Sequence, residues 1–343
     1  MGEDGPQHGG GEIVNEFAIY LACAAGILLP TIPGLLQLRM EPDDAIRVDE
    51  RYIRDPRYLG KTFREAAAPI LETSQIGTRF PFLNRRDEYA RIEGDVVLPD
   101  QSKVDDVLLA RGSVRVGDHT SLLDVYAVGR LDLGSDCLVR CIAAGGDVTL
   151  GERTTITRSI DVDGSLTIGR GCDLGASASA TGTITVHSGS QFRRMYASRI
   201  LFAGSADTIP ETRSSEERSA SMIVVGPGER YEGDLRAPDD VEIGQGAVVT
   251  GSITAGGNVF VAADGTVHGN LIARGDASLG QGSHVLGHVF SNSNVVIASA
   301  ATIGSVESPK TVESAESLLI APGATIHGWV ICERGGTAVV IGA

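Results

Sequence analysis

"GSITAGGNVFVAADGTVHGNLIARGDASLGQGSHVLGHVF", residues 251–290, repeats with a period that suits neither a helix nor a hairpin. Gly251, Gly269 and Gly287 stand eighteen residues apart, and Gly233 extends the series backwards. Two places after each glycine come Leu235, Ile253, Leu271 and Val289. Eight places after come Val241, Val259, Ala277 and Val295, and ten places after come Ile243, Val261, Leu279 and Ile297. Sixteen places after come Val249, Val267, Val285 and Ile303. A fixed internal period of this length is the mark of a repeat architecture.

Within one period the aliphatic residues alternate with polar ones, as on strands with one buried face. Three such short strands, with Gly, Asn and Asp between them, describe one coil of a triangular β-solenoid in which like residues stack. The fold class is therefore all-β: a parallel β-helix of about 17–18 residues per coil. Two alternating aliphatics followed by a turn residue carry the array back through Gly117, Gly134, Gly151, Gly169 and His187, with weaker rungs near Leu98 and Phe202. The count is about fourteen coils, a rod of roughly 65 Å at ~4.8 Å per coil. Polar stretches at 205–221 and 305–317 interrupt it and read as loops leaving a corner, the first being also a possible joint between halves. The expected organisation is an acidic disordered tail (1–16), a hydrophobic anchor (17–38), a linker (39–91), a first solenoid half (92–204), a polar insert (205–221) and a second half (222–343).

"FAIYLACAAGILLPTIPGLLQL", residues 17–38, is 22 residues without a charge. As helix it is long enough to cross a hydrocarbon core of about 30 Å. Phe17, Ile19, Leu21, Ile27, Leu28, Leu29, Ile32, Leu35 and Leu36 supply its apolar surface. Arg39, Arg47, Arg51, Arg54 and Arg57 follow it and no Lys or Arg precedes it, which puts the remainder on the cytoplasmic side. Pro30 and Pro33 suit a kinked span or a re-entrant dip equally. In the linker, Asp55 and Pro56 start a helix over 55–71 whose face carries Leu59, Phe63, Ala66 or Ala67, and Ile70. That face needs cover, and the helix is expected to cap the solenoid end.

Net charge is −15, and an acidic body excludes nucleic acid as a partner. Cys23, Cys137, Cys141, Cys172 and Cys332 have no zinc or disulfide spacing and read as reduced, space-filling thiols. His268, His284, His288 and His327 are the candidates for a hexapeptide-type acyltransferase base, but no carboxylate recurs beside them at fixed spacing, so they read as exposed strand positions. Asp161, Asp163 and Gly164 could mimic a glycosidase pair and read instead as a coil corner. The glycines of "GRGCDLG" (169–175) are misplaced for a dinucleotide loop, and no cofactor, metal or catalytic role is assigned.

Residues 222–306, with recurrent G-x-[IVL]-x-[AS] followed by V-x-[IV], resemble the core of bactofilins, the polymer-forming bacterial cytoskeletal family. The resemblance is looser over 92–203 and absent from the first 90 residues. It implies a right-handed β-helix that assembles into filaments without nucleotide, on the cytoplasmic face of the bacterial inner membrane. Departures are the doubled coil number and the long apolar segment.

At the other end Val339 and Ile341 continue the aliphatic ladder. With Trp329 and Val340 they are the expected self-association surface, the C-terminal coils of two molecules stacking. The expected partners are thus a second copy, the membrane, and envelope-associated proteins on the outward faces. The alternative is a monomeric membrane-tethered adaptor, with acyltransferase ranked last.

Overall fold

The computed structural model describes residues 55–72, 80–82, 85–204 and 222–338. All lie within the second of the two units into which the chain divides, Arg51–Ala343. The acidic tail, the anchor segment 17–38, the insert 205–221 and Val339–Ile341 lie outside the described residues.

The described residues form a parallel β-solenoid of about 13 turns with a single short helix among them. The four aliphatic columns of the second half are its register. Leu235, Ile253, Leu271, Val289, Val312 and Val330 pair rung to rung. So do Val241, Val259, Ala277, Val295 and Leu318, and alongside them Ile243, Val261, Leu279, Ile297 and Ile320. The third strand adds Val249, Val267, Val285, Ile303 and Ile326. Nearly every one of these side chains is excluded from water, each contributing about 1.5–3 kcal/mol for a Val, Leu or Ile.

Corners hold the coils in step. The Asp240 carboxylate accepts the Asn258 N–H, the Asn258 side chain that of Asp276, and the Asp276 carboxylate that of Asn294. Asp234, Ser252, Asn270 and His288 form a second such ladder. The landmark glycines have a steric cause. A Cβ on Gly269 would sit 2.5 Å from the Gly251 carbonyl carbon, and one on Gly287 only 2.2 Å from the Gly269 oxygen. Coils a strand-spacing apart leave no room there.

The loop expected at 305–317 is shorter. Val289 pairs with Val312 and Lys310–Ser314 is a strand, so only residues 305–309 leave the coil.

In the first half, Val114, Leu131, Val148, Leu166, Ile184 and Ile200 form one column. Parallel rung pairing begins at Tyr89, three residues before the expected boundary. One corner column here is polar and buried: Thr120, Cys137, Thr154, Cys172 and Ser190. Their hydroxyls and thiols donate to carbonyls of the preceding coil, as Thr154 Oγ1 to Gly134 O and Cys172 Sγ to Gly151 O.

The rod does not continue straight from the first half into the second. The last strand of the first half, Gln191–Ala203, pairs antiparallel with the last strand of the second, Thr325–Ala338. Each half therefore ends on the other's C-terminal coil. The insert between them has 17 residues, 205–221. Extended chain of that length reaches roughly 58 Å, about twice the roughly 29 Å that six rungs occupy.

The helix forms at Tyr58–Glu72, with Asp55 Oδ1 accepting the Arg57 N–H at its start. It lies along a side of the first half and does not cap an end. Phe63, Ala67 and Leu71 pack on Val107, Leu109, Cys141 and Ala143, the outward residues of two rungs. Gly60 and Leu71, with Phe63 and Ala67, are its buried positions. The expected stripe is rotated because Gly60 sits over Asp161, whose Cβ lies 2.0 Å from where a Gly60 Cβ would be.

Candidate functional site: coil edges and the junction between halves

A solenoid coil carries backbone donors and acceptors on both edges, so every terminal coil raises the same question of what satisfies its outer edge. At the junction the answer is complete. Gln191 pairs with Thr337, Met195 with Val330, Tyr196 with Trp329 and Ile200 with Ile326. Gly189 N–H donates to Ala338 O at 2.8 Å, Ala338 N–H to Ser190 O at 2.9 Å, and Phe202 N–H to Ala324 O at 3.1 Å. Below the backbone the two hydrophobic interiors become one. Phe192, Met195, Ile200 and Phe202 meet Ile326, Val330 and Ala338 with no side chain more than 3% exposed. The Phe192 ring occupies the place that a Cβ on Gly336 would take, 2.2 Å from its Cε2.

Trp329, expected to stack on a second molecule, lies edge-on to Tyr196 of the same chain, ring centroids 5.0 Å apart. The strand that leads into the expected surface, Thr325–Ala338, is covered by the first half. Sequence periodicity carries no trace of this, because one aliphatic rung resembles any other. The remaining members of that expected surface, Val339, Val340 and Ile341, lie outside the described residues, as do all the anchor positions from Phe17 to Leu36. Among the described residues no helix is long and apolar enough to cross a membrane.

The two N-terminal coils differ. Among the described residues, strands Tyr89–Ile92, Val96–Leu98 and Lys103–Val104 pair on one edge only, with the next coil. The same holds for Ile223–Val225, Arg230–Tyr231 and Leu235–Ala237. Ala90, Ile92, Leu98, Val104 and Ile223 point into the ladder yet stay partly exposed. Both edges carry an outward valine at mid-strand, Val97 (71% exposed) and Val224 (51%). Edge strands in soluble proteins commonly place a charge or proline there; these two place a β-branched aliphatic residue.

The positions weighed for chemistry have structural partners. Asp161 is not at a corner: it lies in the strand Thr155–Val162, 1% exposed under the helix. It accepts from Arg57 Nε at 2.7 Å, Arg64 Nη2 at 2.6 Å and Ser179 Oγ at 2.7 Å. Asp163 takes the same two guanidinium groups at 2.6 and 2.5 Å. Burial would raise the Asp163 carboxyl, but the hydrogen bonds from Arg57 and Arg64 outweigh it and hold it below the usual carboxylate range. Asp124, wholly buried, binds Arg140, which also reaches Asp87 at 2.5 Å. These pairs fasten the helix and its neighbours to one face of the solenoid. The sequence signal was faint: two arginines seven apart and an Asp-x-Asp.

His268 and His284 are exposed, as expected. His288 stacks on Phe290 and its Nδ1 accepts the Thr311 N–H, while His327 Nδ1 is 2.9 Å from Ser198 O across the junction. Burial pushes the Cys141 thiol up to about 11 and raises Cys137 and Cys172 as well, so these thiols are protonated packing groups at neutral pH. No cluster of metal-ligating side chains occurs among the described residues.

A family model described as bactofilin, polymer-forming cytoskeletal, matches residues 218–307, roughly a quarter of the chain, running from the end of the insert into the second half. Neither the search of curated proteins nor that of solved structures found a match. The matched domain and the β-solenoid fold together support a polymer-forming cytoskeletal protein; the family of the matched domain is a structural one and not an enzyme family.

Proposed function

From a bactofilin domain as the premise, we propose that this chain is a membrane-associated scaffold on the cytoplasmic face of the bacterial inner membrane, assembling without nucleotide by stacking of its open solenoid ends. The observation that carries the stacking is the junction. Two coil edges of this sequence already pair rung on rung, with interior joined to interior. The N-terminal coils present the same kind of edge with nothing across it among the described residues. Covering one aliphatic coil face of a few hundred Å² at ~25 cal/mol per Å² yields several kcal/mol before association costs. A second copy is the natural occupant, since its coils have the matching three-sided outline.

Membrane association is supported by the uncharged stretch 17–38 and the arginines that follow it. Nucleotide independence is supported by the sequence, which lacks a phosphate loop with a Gly-Lys-Ser/Thr end.

Negative-stain microscopy and analytical ultracentrifugation of the full chain, with and without ATP or GTP, test the reading. Filaments or paired rods are expected in every case. Leu98→Arg combined with Ile223→Arg, one charge on each open coil, should leave single rods. Unchanged assembly of that variant would discard end stacking.

A further inference from the structure

The helix Tyr58–Glu72 covers one side of the first half; the same side continues past it with nothing across it among the described residues. Its outward column is continuous through the junction. Asp161 pairs with Ser179, Ser179 with Tyr196, Tyr196 with Trp329 and Trp329 with Thr311. Arg57, two residues after Asp55, is bound to Asp161 at the start of that column. At ~4.8 Å per rung, the chain thus enters the described body about 14 Å from Trp329 along the column.

The uncovered stretch has an unusual make-up for a chain of net charge −15. Tyr196, Trp329, Ile331 and Phe290 are only half-buried there. Arg193 and Arg194 are exposed on the adjoining strand, where Arg194 registers with Ile331, and neither has an ion-pair partner among the described residues. Acids are present too: Glu313 registers with Ile331, and Glu333 is at the edge. Amphipathic rings beside unpaired arginines are what a protein presents to the headgroup level of an anionic bilayer.

We propose that this side of the rod, centred on Trp329 and Tyr196, lies against an anionic lipid surface, so that the rod runs along the membrane and does not stand on its end. The inference rests on membrane association through residues 17–38, and it adds the face that contacts lipid. Two arguments select lipid over other occupants. Residues 39–54, which span up to roughly 55 Å extended, join the apolar stretch to the same column, so a bilayer holding 17–38 is within reach of this face. The arginines match anionic headgroups, whereas the remainder of the acidic chain would be repelled by them.

Trp329 is the only tryptophan in the sequence, so its emission reports on this face alone. Full-length protein is mixed with phosphatidylglycerol/phosphatidylcholine vesicles and with pure phosphatidylcholine vesicles, and co-sedimentation and Trp329 fluorescence are read together. Expected are sedimentation with the anionic vesicles, a blue shift, protection from acrylamide, and quenching by brominated acyl chains. Arg193→Glu with Arg194→Glu, its emission without vesicles unchanged, should weaken binding to the anionic vesicles roughly tenfold or more. Sedimentation with unaltered Trp329 emission would overturn the lipid-facing side while leaving the anchor reading intact. Failure to sediment at all would overturn both. Trp329 already shielded without vesicles would assign the face to the N-terminal segment if shielding is independent of protein concentration, and to a second copy if it rises with it; either result overturns the proposal.

Discussion

The C-terminal coils of the two halves and their N-terminal coils are built from the same aliphatic rungs, yet they differ in what lies across the outer edge. At the closed ends Ile200, Ile326 and Val330 are fully buried. At the open ends Ala90, Ile92, Leu98, Val104 and Ile223 are only partly so, though they occupy inward positions of the ladder. Side-chain identity does not explain the difference. A terminal coil buries its interior only when a second edge is laid on it, whether by another part of the chain or by another molecule.

Breaking the closed end should have the largest effect. Ile200→Asp would place a carboxylate opposite Ile326 at the centre of the junction and cost about 4 kcal/mol or more. Hydrogen exchange should then show Thr325–Ala338 opening while the Val241–Ile303 rungs stay protected; equal protection throughout would mean that the junction contributes little. Asp161→Ala leaves Arg57 and Arg64 with Asp163 as their remaining carboxylate partner and should cost about 2–3 kcal/mol in denaturant unfolding. Asp163, its carboxyl held low by the same arginines, gives that contact a pH dependence. A depressed folded-state value means the contribution is complete above the ordinary aspartate value near 3.8 and disappears as pH falls through the lower folded one. Exchange protection of the helix should be flat from neutral pH down to about 4 and fall below it.

Two glycines of one corner separate closed from open surroundings on a finer scale. A Cβ on Gly112 would lie 2.6 Å from the Gly94 carbonyl carbon of the preceding coil, whereas one on Gly94 meets nothing within 4 Å. Gly112→Ala should lower stability by about 1–3 kcal/mol. Gly94→Ala should stay within about 0.5 kcal/mol of the parent in thermal unfolding, yet reduce polymer in ultracentrifugation if a second coil stacks there. A Gly94→Ala protein that polymerises like the parent would move the assembly surface away from the first-half end.

Much of the fold was legible because its information is local and periodic. The columns at Leu235, Val241, Ile243 and Val249 and their repeats follow from strand alternation, and rung pairing reproduces them. The first-half steps through Gly117, Gly134 and Gly151 were legible for the same reason. The helix was visible from its Asp-Pro start and apolar spacing, but its seat was not. Gly60 over Asp161 and the Arg57 and Arg64 contacts join residues about 100 apart in sequence, and no repeat announces them. The contact of Trp329 with Tyr196 was not legible because a strand continuing the ladder looks the same whether its outer edge is free or taken.

The amino-acid sequence alone determined the coil: its length, its three strands, which side chains face the axis, and why glycine, asparagine and aspartate stand at its corners. All of this arises from short-range sterics and the in/out alternation of a strand, repeated at a fixed interval. Only the tertiary structure decided that the halves meet through their C-terminal coils, that the helix lies along a side, and that the open edges are the N-terminal ones. Every coil edge offers the same backbone donors and acceptors, so the choice of partner rests on contacts such as Tyr196 with Trp329 and Ile200 with Ile326, more than 120 residues apart in the chain.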